Sequence, residues 1–298
     1  MKKIMVISML IAVMLLMGRF FAPAYAQDLA KEEKPTFYRL TPGVYVNGWP
    51  RFTITYPKDW LEMRPIPLQS FRTSTPGSTQ RDWFYITILS NFIPLEKLAD
   101  IWISYFRNVA ADVTVVSDKP SRLRDGTLAW ETEFQMVMNS LPCNYFIVAT
   151  KKGDLWIFMG VGSYSGKIGE DLRAIPYSIE FEPGKDEAVK VPPDVQEFLE
   201  RQGNDILSHD LTKVMANYSD KYLNSGMRKG EKERDIKQWI NSITSVKGGI
   251  TEFVPAGDRA YLTGFSITNS GTSPITETSI IKENGEWKWY GNQRDPAP

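Results

Sequence analysis

The chain has 298 residues, with 35 Lys and Arg balanced by 35 Asp and Glu, one histidine and one cysteine. A balanced charge without a basic cluster excludes nucleic-acid binding driven by counterion release, and a lone cysteine cannot close an internal disulfide. Cys143 and His209 together fall short of the four ligands of a structural zinc site, and the length suits two domains of ordinary size.

Lys2 and Lys3 precede an apolar run from Ile4 to Met17, and Ala24-Tyr25-Ala26 sets small residues where a signal peptidase reads. The run is shorter than the roughly 20 residues of a spanning helix. Residues 1–26 therefore read as a signal peptide removed before Gln27, the alternative being an uncleaved anchor. The mature chain is expected to be periplasmic or secreted, with no membrane span. Losing Lys2, Lys3 and Arg19 makes it slightly acidic. Residues 27–42 read as a solvated leader.

Residues 52–56 alternate apolar side chains with threonine and predict a strand, ended by Pro57. Residues 73–80, rich in Pro, Ser, Thr and Gly, predict a turn, and 83–89 a second strand. Pro94 opens a helix whose stripe is Leu95, Leu98, Ala99, Trp102, Tyr105 and Phe106, a pattern of core packing. In 128–138, Leu128, Trp130, Thr132, Phe134 and Met136 alternate with Glu131, Glu133 and Gln135, a strand with one polar side. Residues 144–150 and 155–161 form a hairpin about Gly153-Asp154. A helical segment at 170–174 and a strand at 177–181 close this half. Pro183-Gly184 and Pro192-Pro193 flank a charged stretch, 183–192, that reads as a linker.

The second half predicts helices first. One carries Val195, Phe198, Leu199, Gln202 and Ile206; the next, capped by Asp210, carries Leu211, Val214, Met215 and Tyr218; a third carries Ile236, Trp239, Ile240 and Ile243. Strands follow at 250–254, 259–268, 275–282 and 286–290, with turns at Gly257-Asp258, 269–271 and Asn284-Gly285. In 259–268, Tyr261, Thr263, Phe265 and Ile267 share one side, while Ala260, Leu262, Gly264 and Ser266 share the other. Apolar residues on both sides predict a covered outer face, the cover being a second copy, the first domain or a partner.

Residues 43–182 resemble the PsbP-like family. The resemblance is carried by Phe52-Thr53-Ile54-Thr55-Tyr56-Pro57-Lys58-Asp59-Trp60, Gly126-Thr127-Leu128-Ala129, Lys152-Gly153-Asp154-Leu155-Trp156 and Tyr177-Ser178-Ile179-Glu180-Phe181. It implies an α/β/α sandwich that binds other proteins and has no common catalytic site. Residues 193–298 resemble the nuclear transport factor 2-like, or SnoaL-like, family. Here the matching stretches are Asp210-Leu211, Tyr218-Ser219-Asp220-Lys221-Tyr222-Leu223-Asn224-Ser225-Gly226 and Lys282-Glu283-Asn284-Gly285-Glu286-Trp287-Lys288-Trp289-Tyr290-Gly291-Asn292. This resemblance implies an α+β cone with a curved antiparallel, cystatin-like sheet, often dimeric. The fold class expected for the chain is α+β.

Little chemistry stands out. Ser208-His209-Asp210 has the residue types of a triad, but adjacent positions cannot converge as a triad must. Cys143 lacks a nearby base, and neither a calcium loop nor a phosphate cradle is present. No cofactor or metal is expected. Pocket acid–base chemistry of the ketosteroid-isomerase kind needs a carboxylate in an apolar pocket and a phenol or acid for an oxyanion. Tyr218, Asp220, Tyr222, Trp239, Tyr261, Trp287 and Trp289 are its candidates, although packing and turn roles suit their patterns better. The leading expectation is thus a non-enzymatic envelope protein that binds a partner protein or a small apolar ligand. An isomerase or dehydratase using the second domain's pocket is the alternative.

Overall fold

A computed structural model describes residues 43–63, 69–77, 81–90, 94–138, 140–184, 186–224 and 226–293. The stretches read as a signal peptide, 1–26, and as a leader, 27–42, lie outside the described residues, as do the side chains of Leu98, Ala99 and Tyr105. The fold is α+β, in two compact units. One is Ile54–Ile179; the other joins 43–53 to 180–293. The first unit is thus an insertion in the chain of the second. Strand β1 (Val44–Asn47) and the first half of β2 (Phe52–Thr55) belong to the second unit, not to the one that sequence resemblance assigned to residues from 43 onward.

In the first unit seven strands form one antiparallel sheet. Its order is β3 (Leu61–Glu62), β4 (Gln69–Ser74), β5 (Asp82–Ser90), β9 (Leu155–Ser163), β8 (Leu141–Lys152), β7 (Leu128–Met138) and β6 (Ala111–Arg122). Period-2 alternation divides its side chains between two faces. On one face, helix α1 (Leu98–Val109) lays Phe106 against Phe134 and Tyr145, and Trp102 against Phe158. On the other, Phe84, Phe146, Val148, Ile157 and Met159 are fully buried, and helix α2 (Glu170–Tyr177) lies over them with Arg173 4.7 Å above the Phe146 ring. Both faces are covered, so Glu131 and Glu133 do not form the solvated side that their alternation suggested. Glu133 is buried and pairs with Arg173 at 2.6 Å, while Glu131 accepts a hydrogen bond from Tyr177.

Tyr177 closes α2 and does not open a strand; the strand β10 is only Glu180–Phe181 and pairs with β2. β4 occupies the start of the stretch read as a turn. The edge strand β6 escaped the sequence reading because it is polar and largely exposed, with Asp118, Lys119 and Pro120, residues that protect an edge from further pairing. Two glycines of β9 are fixed by close approach. A Cβ on Gly160 would stand 2.2 Å from the Tyr85 ring, and one on Gly162 would stand 2.1 Å from the Trp83 ring, so both rings lie down across the strand.

In the second unit helices α3 (Pro193–Leu207), α4 (Leu211–Ala216) and α5 (Lys229–Trp239) accompany a seven-stranded sheet. The sheet runs β12 (Met227–Arg228), β11 (Tyr218–Asn224), β17 (Glu286–Gly291), β16 (Ser279–Glu283), β14 (Arg259–Thr268), β13 (Val246–Ala256), with β15 (Gly271–Pro274) also on β14. Tyr218 was expected on a helix; it starts β11, which runs parallel to β17. Of the expected 275–282 strand only the part from Ser279 is strand, in β16; residues 275–278, Glu277 among them, connect β15 to β16. The stretch 183–192, read as a linker, contributes Val191 to this unit's core.

Ala260 and Leu262 of β14 join that core, and Tyr261, Thr263, Phe265 and Ile267 take the outer face, as alternation divides them. Part of the cover comes from the unit's own chain. The Trp49 ring lies 4.8 Å from that of Phe265, and Arg51 meets Glu182 at 3.4 Å and Glu252 at 3.3 Å. Trp49→Ala should therefore destabilise the second unit by about 2 kcal/mol, below the usual cost of emptying a fully buried tryptophan site because Trp49 is half-buried. Chemical denaturation of residues 27–298 measures it. A loss under about 0.5 kcal/mol, the range of an ordinary surface substitution, would show that Trp49 does not cover Phe265 in solution.

Candidate functional site

The interior of the second unit carries its densest polar chemistry at the ends of an apolar core. Tyr218 and Tyr222 project inward from β11, edge to face at 5.2 Å, and both are buried. Tyr222 donates from its hydroxyl to Glu277 Oε1 at 3.1 Å. The same oxygen takes Lys232 Nζ at 2.8 Å, and each of these two side chains is only 12% exposed. Lys232 also reaches Asp235 at 3.5 Å, one turn along α5, and Thr276 Oγ1 donates to the other Glu277 oxygen at 3.0 Å. Gln202, buried on α3, has an Oε1 with no hydrogen-bond partner.

Burial alone would raise the Glu277 pKa, but Lys232 outweighs it and holds the carboxyl below its ordinary value. Burial likewise opposes the charge on Lys232, yet Glu277 drives its pKa upward. Both phenols are pushed up, by burial first and then by the Glu277 charge. The shifts of Glu277, Lys232, Tyr218 and Tyr222 thus all run away from neutrality, whereas a general acid or base works best with a pKa near the operating pH.

Of the seven residues singled out in the sequence, only Tyr218 and Tyr222 enter this cluster. Asp220 is exposed and pairs with Lys229 at 2.7 Å, because a β-bulge between Tyr218 and Leu223 breaks the alternation that would aim it inward. Trp289 packs edge to face on Phe198 at 5.2 Å within the apolar core. Trp287 sends its indole N–H to Asp194 at 2.8 Å, beside Lys282. Trp239 packs half-buried against the core, and Tyr261 is on the opposite face of the sheet from Ala260 and Leu262. Lys232 and Glu277 were missed. A signal existed for Lys232, which stands four residues before Ile236 on the same helical stripe as Ile236 and Ile240. Glu277 sits in an irregular connection and offered none.

Ser208-His209-Asp210 is a helix junction. His209 contacts the Ile243 carbonyl at 2.8 Å, Ser208 donates to the Asp205 carbonyl, and Asp210 accepts from the Thr212 and Lys213 amides to cap α4. Cys143 is buried, and burial pushes its thiol up to about 12. Among the described residues no group of three His, Cys, Asp or Glu side chains gathers as a metal site would require, and no helix is long and apolar enough to cross a membrane.

No family model and no curated protein matches the chain. Among solved structures it is similar to cyanobacterial PsbP (CyanoP) from Synechocystis sp. PCC 6803, at 9% identity and a TM-score of 0.38, covering 47% of this chain and 91% of that one. A protein from Bacteroides thetaiotaomicron VPI-5482 is similar at 10% identity and a TM-score of 0.36, covering 84% and 89%. A cystatin-like protein from Ruminococcus gnavus ATCC 29149 is similar at 9% identity and a TM-score of 0.17, covering 61% and 65%.

The Lys232–Glu277 pair sets a test. Lys232→Met strands a buried carboxylate and should cost about 3 kcal/mol, whereas Lys232→Met with Glu277→Leu should recover most of it. The carboxyl pKa is depressed, so its stabilisation is complete above the ordinary value of about 4.3 and is lost as pH falls through the depressed one. The lysine pKa is raised, so its share is complete below about 10.4 and is lost as pH rises beyond that. Denaturation from pH 3 to 8 should show Glu277→Gln less acid-sensitive than wild type. Equal acid sensitivity would mean that the pair does not form.

Proposed function

We propose that the chain is a non-catalytic, exported two-domain protein of the cell envelope that binds a partner protein or a small apolar ligand. The observation that carries this reading is the state of the Glu277 carboxylate. It touches a phenol, as an isomerase site would have it, but Lys232 neutralises it at 2.8 Å and keeps it ionised. A catalytic base of that class works with a carboxyl set in an apolar pocket and free to take a proton. Here the contact is consumed in holding α5 to the connection before β16.

The PsbP-like and SnoaL-like resemblances support the same reading, since each covers binding modules without activity, and a fold by itself does not assign function. A homodimer through the second unit is one form that the partner takes under this proposal. Val254 and Ile267, exposed on the outer sheet face, offer apolar contact beyond Trp49.

Two experiments test the proposal. Immobilised mature protein should recover a stoichiometric partner or an extractable apolar ligand from the native envelope, while a parallel screen of enolisable ketones should show no turnover. Turnover abolished by Glu277→Gln would overturn the reading in favour of the isomerase alternative. Export is tested separately by mass spectrometry of the native protein, which should begin at Gln27 in the soluble envelope fraction. An intact Met1 on membrane-bound protein would refute it.

A further inference from the structure

We infer that the first unit carries a binding site for a small zwitterion, an amino acid or a short peptide with free ends, in a cleft between the start of β5, the loop after β9 and the beginning of α2. The inference goes beyond the partner reading above and does not depend on it.

Three neighbouring pieces of chain build the cleft. Asp82 opens β5 and pairs with Ser163, the last residue of β9, and the Tyr164 amide donates to the Arg81 carbonyl at 2.9 Å, carrying the ladder one residue further. The loop that follows is held by its own hydrogen bonds. Ser163 is fully buried and donates to Asp82 Oδ1, the Ser165 amide donates to the Ser163 hydroxyl at 3.0 Å, and Asn144 Nδ2 holds the Gly166 carbonyl at 2.7 Å. Helix α2 then starts after Gly169. These pieces bound a cavity of about 340 Å³ that opens to solvent, within the roughly 300–1,000 Å³ of small-ligand sites.

Its walls carry charges of both signs. Arg81 and Lys167 supply two cations, Asp82 and Asp171 two carboxylates, and buried Leu172 adds an apolar contact. Among the described residues Arg81, Lys167 and Asp171 form no ion pair, and Asp82 commits one oxygen, to Ser163. The chain itself aims Asp171. Its Oδ1 stands 2.5 Å from where a Cβ on Gly169 would lie, so glycine lets the carboxylate fold back against the loop. A lone anion entering the cleft would meet two carboxylates, and a lone cation would meet two basic groups. A zwitterion answers both sets. Its carboxylate fits the Arg81 fork with Lys167 beside it, and its ammonium takes Asp82 and Asp171.

Titration of residues 27–298 followed by nuclear magnetic resonance tests the site with L-alanyl-L-alanine, L-alanine, N-acetyl-L-alanine and L-alaninamide. At least one of the two zwitterions should shift the amides of Ser165, Lys167 and Asp171, and the tighter one tells a peptide from a free amino acid. N-acetyl-L-alanine keeps only the carboxylate and L-alaninamide only the ammonium, and each should bind at least tenfold more weakly. Arg81→Gln should weaken the zwitterion at least tenfold and leave L-alaninamide unchanged. Asp171→Asn should weaken it likewise and leave N-acetyl-L-alanine unchanged, and Gly169→Ala should act as Asp171→Asn does by displacing that carboxylate. Arg81 and Asp171 are exposed, so both variants should melt with the wild type. Zwitterion binding insensitive to Arg81→Gln and Asp171→Asn would overturn the inference, and so would a single-charge analogue that binds as tightly as the zwitterion. If neither zwitterion shifts these amides while the envelope pull-down still yields a partner, the cleft falls and the partner reading stands.

Discussion

Lys232 and Glu277 meet at 2.8 Å inside the second unit, and much of that unit's local order follows from the cost of having put them there. Each ion loses most of its hydration, a penalty of several kcal/mol that their attraction repays only with good geometry and satisfied remaining donors and acceptors. Tyr222 and Thr276 fill the acceptor positions of the carboxylate, and Asp235 takes a second contact from the ammonium. The contacts tie three separate stretches together: α5, the strand that carries Tyr222, and the connection between β15 and β16. An apolar trio of similar volume could hold them as tightly. The pair adds a requirement of register, because a one-residue slip of β11 would turn Tyr222 away and leave Glu277 short of a donor.

The first unit obeys a different constraint. Its sheet is covered on both faces, so every residue of β9 is buried and polar groups on the inner strands must find partners within the protein. Glu133 finds Arg173, Glu131 finds Tyr177 and Lys119, and Asn144 finds the Gly166 carbonyl. Burial and the hydrogen bond to Glu131 push the Tyr177 phenol up to about 12, which keeps its proton in place as a donor to that carboxylate. The α2 face is therefore held by charge-assisted contacts, and the α1 face by stacked rings.

Regular alternation was legible in the sequence, and departures from it were not. The strands 128–138 and 259–268 match β7 and β14 because period 2 persists along their whole length. Asp210 as a cap was legible for a local reason, a side chain bonded to amides two and three residues on. Three failures share a cause, which is that the deciding partner lies far along the chain. Tyr218 continues an apolar helical stripe in sequence, yet pairing with Trp289 makes it a strand residue. Glu131 and Glu133 look solvated until α2 supplies Arg173 and Tyr177. The sheet face at Phe265 was recognised as covered, but its cover at Trp49 stands more than two hundred residues earlier. In the candidate site, Tyr218 and Tyr222 were found from their neighbourhood, whereas Glu277 has no local pattern and joins the cluster only through what folds onto it.

The insertion of one unit in the chain of the other bears on how such a protein stays folded. Thr55 and Ser178 exchange hydrogen bonds, the Ser178 hydroxyl accepting from the Thr55 amide and donating to its carbonyl, and Thr53 pairs with Glu180 immediately beyond. The points of entry and exit of the first unit are thus clamped together, and loop-closure entropy falls on a short gap instead of on a unit of more than a hundred residues. Within the second unit Arg51 joins the two stretches of its chain: its amide donates to Asp186, its carbonyl accepts from the Glu182 amide, and its guanidinium meets two carboxylates. A single residue at the crossing satisfies backbone and charge together. Arg51 thus ties together the two stretches of chain that make up the second unit.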